Sequence, residues 1–205
     1  IEYAYGPVFS LSPRDQSFIR KLIEDLRQPG AREEAGKGAP DSGMRVLGFD
    51  PYAKDLPTYI QRVDLEDIWR DSDAISLHCP LTPGTQHLID DRALARMKRG
   101  GMLINTSRGG LVDTKAVIDG LKTGKIGFFG IDVYEEEEGL FFEDHSEHIL
   151  QDDVIARLMT FQNVLITSHQ AFLTHEALTQ IAETTQYNID CWQKGGTSAN
   201  ELGIL

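Results

Sequence analysis

The stretch MLINTSRGG, residues 102–110, runs from apolar side chains into a hydroxyl pair, an arginine and two glycines. An apolar run of strand length that gives way to small polar residues predicts a buried strand ending at the hydroxyls. Four other runs share the pattern: MRVLGF (44–49), AISLHC (74–79), IGFFGIDV (126–133) and VLITS (164–168). Helical patterns at 64–70, 91–99 and 115–123 separate most of them. Near-continuous apolar strands alternating with helices predict an α/β fold, a doubly wound parallel sheet covered on both faces. Ligands of such sheets bind outside the carboxyl ends of the strands, so the residues just after each run are the functional candidates.

The flanks read differently. Residues 12–27 form an amphipathic helical pattern, with Ser12 as N-cap, Pro13 in the first turn, and Phe18, Ile19, Leu22, Ile23 and Leu26 at helical spacing. Pro29-Gly30 ends it, and GAREEAGKGAPDSG (30–43) is a polar linker almost free of large apolar residues. A last helix is predicted over 174–194. Thr174 caps it, and Ala177, Leu178, Ile181, Tyr187, Ile189 and Trp192 give it apolar surface.

With 205 residues, 40% of them hydrophobic and 25% charged, the chain can build a sizeable core. A net charge of -12 argues against nucleic acid and against anionic membrane surfaces, which need a surplus of Lys and Arg. It leaves room for a small anionic substrate held by a local basic residue. Cys79 and Cys191 are too far apart for a metal-spaced pair, which fits free thiols in a reducing cytoplasm. No run has the length of a membrane span, and the start, Ile1-Glu2-Tyr3, is neither a signal peptide nor an initiator Met. A processed or partial product is expected.

Each strand end offers a chemistry and a plainer alternative. Asp50, in GFDPY, can accept from the adenosine ribose hydroxyls of NAD, or simply close a turn before Pro51. His78 is a candidate ligand or a satisfied structural histidine. Pro80 and Pro83 stiffen the loop behind it into a wall suited to a flat ring. Arg108 can form two parallel charge-assisted hydrogen bonds to a carboxylate, or pair with an acidic side chain of this acidic protein. Glycines 109 and 110 allow another group to approach the backbone closely. Asp132 and Glu137 follow the fourth run, and His169 follows the fifth. A histidine with a carboxylate neighbour is a general acid/base, because the carboxylate stabilises the imidazolium. Glu137 read alone belongs to EEEE (135–138), and charge runs are usually solvated faces. An arginine for a carboxylate and a histidine for a proton leave only a hydride to be supplied. No side chain provides one, so a nicotinamide must. That is the interconversion of 2-oxo and 2-hydroxy acids.

The motifs GMRVLGFDPY, SDAISLHCPLTP, MLINTSRGGLVD, GIDVYEEE, LFFED, QDDV and NVLITSHQAFLT, in this order and spacing, resemble the D-isomer-specific 2-hydroxyacid dehydrogenases. The likeness is closest to the D-lactate dehydrogenase branch and covers roughly three quarters of the chain. It implies a Rossmann-like NAD-binding domain over 44–170, incomplete at its N-terminal part. Residues 1–43 form a helix and linker that do not match the family, and 171–205 a helical segment that would pack on a substrate domain. It implies that Arg108 anchors the substrate carboxylate, His169 is the acid/base and Glu137 its partner. Asp132 would face the nicotinamide carboxamide and Asp50 hold the adenosine ribose, while Cys79, Pro80 and Thr106 line the cofactor cleft. Phe141-Phe142 and Ala171-Phe172 also suit the lactate branch, whereas Ser168 stands where that branch often has Gly. The cofactor implied is NAD, the substrate pyruvate or D-lactate, and the assembly a homodimer. The family's G-x-G-x-x-G unit and N-terminal substrate domain are not recognisable. The alternative expectation is therefore a truncated, inactive relative acting in binding or assembly.

Overall fold

The computed structural model describes residues 45–137, 152–170 and 173–201. The helix expected at 12–27, the linker at 30–43, Phe141-Phe142 and Ala171-Phe172 lie outside the described residues. All five apolar runs contain strands: β1 Val46–Gly48, β3 Ala74–Leu77, β4 Gly101–Asn105, β5 Ile126–Ile131 and β6 Val164–Ile166. A sixth strand, β2 Ile60–Arg62, has no counterpart among those runs. It is short and largely exposed, so the apolar content that marks a buried strand is missing from it.

The strands are parallel throughout but fall into two sheets, β1-β2 and β3-β4-β5-β6. A doubly wound parallel sheet, incomplete at its N-terminal part, is the expectation. The described strands leave β1 and β3 unjoined, although every residue of both is buried. A single apolar cluster nevertheless runs through the two, from Leu47 to Ile75, Leu77, Leu103 and Phe129.

Helices carry the connections: α1 Leu65–Asp71, α2 Asp91–Arg96, α3 Thr114–Thr123 and α4 Asp153–Met159. Right-handed crossovers between successive parallel strands place such helices on one face, and α1 meets α2, α2 meets α3, and α3 meets α4. The starts of α2, α3 and α4 are set by carboxylates. Asp90, Asp113 and Asp152 each accept from two backbone N–H groups of the first turn. Gly124 ends α3 in the left-handed conformation, at φ 68°.

The last helix, α5 His175–Gln193, starts where its sequence predicts, with Thr174 Oγ1 accepting from Ala177 N at 3.1 Å. None of its residues is buried, and Leu178, Ile181, Tyr187, Ile189 and Trp192 are exposed. Among the described residues no helix is long and apolar enough to cross a membrane.

Candidate active site

Because β4, β5 and β6 are adjacent and parallel, their carboxyl ends open on the same edge. β4 delivers Arg108, β5 delivers Asp132 and Glu137, and β6 delivers His169.

The turn after β4 is built by buried side chains. Asn105 donates from Nδ2 to the Arg108 carbonyl at 2.8 Å and accepts from Ser107 N at 3.1 Å. Ser107 Oγ donates to the carbonyl of Cys79 at 2.8 Å, tying this turn to the end of β3. Arg108 itself is exposed. Its Nη1 donates to the Ser107 carbonyl at 2.7 Å, and it joins no ion pair among the described residues. Gly109 explains its own presence. A Cβ there would overlap the carbonyl of Tyr134, so only glycine lets this turn lie against the Tyr134-Glu135 peptide.

That peptide opens the turn carrying Glu137. Tyr134 N donates to Glu137 Oε2 at 3.0 Å, and Glu137 Oε1 lies 3.0 Å from His169 Nδ1. Both side chains of this ion pair are half-buried. Of the four glutamates in the run, Glu136 is exposed, while Glu135 and Glu137 are each drawn into a histidine pair. The run is thus not a uniformly solvated face. Tyr134 is buried and donates from its hydroxyl to Asp152 Oδ2 at 2.7 Å, while Asp152 Oδ1 caps α4. Burial, reinforced by the Asp152 carboxylate, pushes the Tyr134 phenol far above its usual range.

His169 sits in the left-handed region at φ 51°, a conformation that costs a non-glycine residue about 1 kcal/mol and persists only where the surroundings impose it. Here they do. His169 N donates to the Asp132 carbonyl at 2.7 Å, and Asp132 Oδ1 accepts from Gln170 N at 3.0 Å and from Thr167 Oγ1. Fully buried Asp132 is thereby the brace of the loop that presents His169.

The first two strands build a second region. Asp50, after β1, is 3% exposed; its Oδ1 accepts from Tyr52 N at 2.8 Å and Ala53 N at 3.0 Å, while its buried Oδ2 has no hydrogen-bond partner among the described residues. Arg62 of β2 supports this turn by donating to the carbonyls of Asp50 and Ala53 at 3.0 and 2.6 Å. Beside it lies a cavity of about 280 Å³ lined by Phe49, Trp69, Ile75, Leu77, His78 and Cys79, among others. His78 is 4% exposed, with Nε2 2.8 Å from Ser76 Oγ. The Cys79 thiol is free and buried, and burial pushes its pKa up, so it is a neutral wall group rather than a nucleophile. Pro80 is exposed and accepts from Thr85 Oγ1 at 2.7 Å, and Thr106 is half-buried at the end of β4.

The sequence profile of the "D-isomer specific 2-hydroxyacid dehydrogenase, NAD binding domain" matches residues 33–171. This chain belongs to the D-isomer-specific 2-hydroxyacid dehydrogenases. The D-lactate dehydrogenase of Escherichia coli (strain K12) is 54% identical over 162 residues, 78% of this chain and 49% of that protein. The 2-hydroxyacid dehydrogenase A of Aspergillus oryzae is 51% identical over 161 residues, 78% of this chain and 46% of that one. Among solved structures, the apo form of the Escherichia coli D-lactate dehydrogenase aligns at TM-score 0.69 with 45% identity, over 82% of this chain and 50% of that one. An Aquifex aeolicus D-lactate dehydrogenase complexed with NAD and lactic acid aligns at 0.73 with 28% identity, over 90% and 67%. The chain spans about half the length of the curated relatives it matches.

NAD is the cofactor of this family's domain, and two observations fit it here. The orphaned Asp50 oxygen is a buried acceptor that a ribose hydroxyl would satisfy. The apolar cavity next to it has walls suited to a flat ring. Residue-level reading of the sequence missed Asn105, Ser107, Thr167, Arg62 and Tyr134. They act through hydrogen bonds between segments remote in sequence, and no local spacing advertises such bonds.

Proposed function

We propose that the chain carries the hydride-transfer site of an NAD-dependent D-2-hydroxyacid dehydrogenase, with pyruvate and D-lactate as the leading substrate pair. The observation that carries the reading is one sheet edge that brings an exposed arginine after β4 together with a Glu137–His169 pair bridging β5 and β6. The likeness to proteins named D-lactate dehydrogenase supports the choice of substrate.

Arg108 binds the substrate carboxylate through two charge-assisted hydrogen bonds and polarises the adjacent keto group. His169 has Nδ1 engaged by Glu137, so Nε2 is the nitrogen that delivers a proton to the keto oxygen. In the reverse direction the same nitrogen takes the proton from the hydroxyl. Glu137 fixes the ring and stabilises the imidazolium before the proton leaves. Asp50 holds the adenosine ribose, and the walls formed by His78, Cys79 and Pro80, with Thr106, line the cofactor cleft. Asp132 faces the nicotinamide carboxamide side while bracing the His169 loop. When bound, the nicotinamide supplies the hydride that no side chain can. The balance is 2-oxo acid plus NADH plus a proton, giving 2-hydroxy acid plus NAD.

A homodimer in the cytoplasm belongs to the same reading; the exposed apolar side chains of α5 and the two free thiols support it. The decisive variant is His169→Ala, assayed by pyruvate-dependent loss of NADH absorbance. Its turnover is expected to fall at least about a thousandfold while NADH still binds, in line with the loss of a general acid. An unchanged rate in His169→Ala overturns the mechanism.

A further inference from the structure

Two non-glycine residues have left-handed backbones among the described residues, and both are histidines: His169 and His87, each at φ 51°. Each is paired to a glutamate of the same turn. His87 Nε2 lies 2.5 Å from Glu135 Oε1, and His169 Nδ1 lies 3.0 Å from Glu137 Oε1. We propose that the His87–Glu135 pair is a positioning device, fastening the Tyr134–Glu137 turn so that Glu137 meets His169 in register. The inference rests on the reading of His169 and Glu137 as the acid–base pair.

An exposed ion pair alone contributes little, and side-chain exposures of 38% and 27% would make this one unremarked. Three further observations set it apart. Glu135 uses its second oxygen as well, accepting from Thr114 Oγ1, at the start of α3, at 3.3 Å. His87 N donates to the Gly110 carbonyl at 2.8 Å, within the loop that follows Arg108. The Tyr134-Glu135 peptide is also the group on which Gly109 packs. Three segments from separate crossovers therefore converge on Glu135: the loop after β3, the Arg108 loop running into α3, and the Glu137 turn. Loosening that junction removes one set of ties from the turn between Tyr134 and Glu137, which is held besides by its own internal bonds, by Tyr134 to Asp152 and by Glu137 to His169.

The charged groups facing His87 are Glu135 from the turn, Asp113 before α3 and Asp90 before α2. All three favour the imidazolium, the Glu135 hydrogen bond most, against the opposing effect of burial. The sign follows. His87 has a folded pKa above its unfolded value of about 6.5, so the clamp is fully charged below that value and is lost as pH rises through the folded pKa.

The test uses the whole 205-residue chain with its imidazole nitrogens labelled. The ring tautomer and Nδ1–H resonance of His169 are followed by NMR against pH, alongside kcat and KM. In His87→Ala, the His169 Nδ1–H signal is expected to broaden or vanish. Turnover should fall about tenfold at little change in KM, the scale for a catalytic group displaced by a fraction of an ångström. His87→Gln keeps an N–H donor and should restore most of the signal and rate, while erasing the alkaline-side step expected of the wild type. Glu136→Gln, on the exposed glutamate between the two, should leave everything unchanged. If His87→Ala does not fold, Glu135→Gln and His87→Gln decide the matter by the same signals. A His169 ring unaltered in folded His87→Ala, or in Glu135→Gln, overturns the positioning role. The NMR readout needs no turnover, so failure of the enzymatic reading and failure of the clamp give different results.

Discussion

Arg108 stands exposed just beyond the carboxyl end of β4. The protein has 32 acidic side chains against 20 Lys and Arg, yet this guanidinium joins no ion pair among the described residues and bonds only to its neighbour's carbonyl. An exposed guanidinium at this edge of the sheet is open to an external carboxylate. Its planar fork should matter as much as its charge. Arg108→Lys is therefore expected to recover only a small part of what Arg108→Ala loses. The alanine variant should drop kcat/KM for pyruvate roughly a hundredfold, the equivalent of about 3 kcal/mol of charge-assisted hydrogen bonding. Steady-state kinetics across both variants checks this, and equal rates in Lys and Arg forms would count against bidentate binding. The same scale shows where sequence reading stops. The aspartate, arginine and histidine at the strand ends follow from position alone, but selecting Glu137 out of four glutamates took the family likeness. Glu135 stayed hidden because its partner lies 48 residues away.

At the scale of elements, buried strands were legible because burial on both faces demands continuous apolar runs. β2 was not, since Ile60–Arg62 is an exposed strand with Gln61 and Arg62 along it. α4 was overlooked although α1 and α2 are no longer than it; its start is announced only by Asp152. That aspartate does two jobs, capping α4 with one oxygen and holding the Tyr134 hydroxyl with the other. Asp152→Ala should then cost about 1–3 kcal/mol, a cap and a buried hydrogen bond together. Tyr134→Phe should cost less, because the cap survives. Thermal unfolding of the two variants checks the order; a larger loss in Tyr134→Phe would refute the dual role.

For the whole molecule, the strand order explains how the parts divide the work. The four-stranded sheet presents Arg108, Glu137 and His169, the groups proposed for substrate and proton, on one edge, and the β1-β2 pair presents Asp50 beside an apolar cavity. The division into two sheets was not legible from the apolar runs, because strand pairing is a property of three-dimensional neighbours and all the runs look equally buried. What joins the two regions functionally is a ligand long enough to touch both, with a hydroxylated sugar at one end and a hydride donor at the other. The account stands on that ligand binding to this chain. The most direct measurement is a calorimetric titration of NADH into the 205-residue protein, wild type and Asp50→Ala. Saturable binding that weakens about tenfold or more in Asp50→Ala, as expected for a lost hydrogen bond to a charged acceptor, is the predicted result. No heat of binding to the wild type at millimolar NADH would contradict the account.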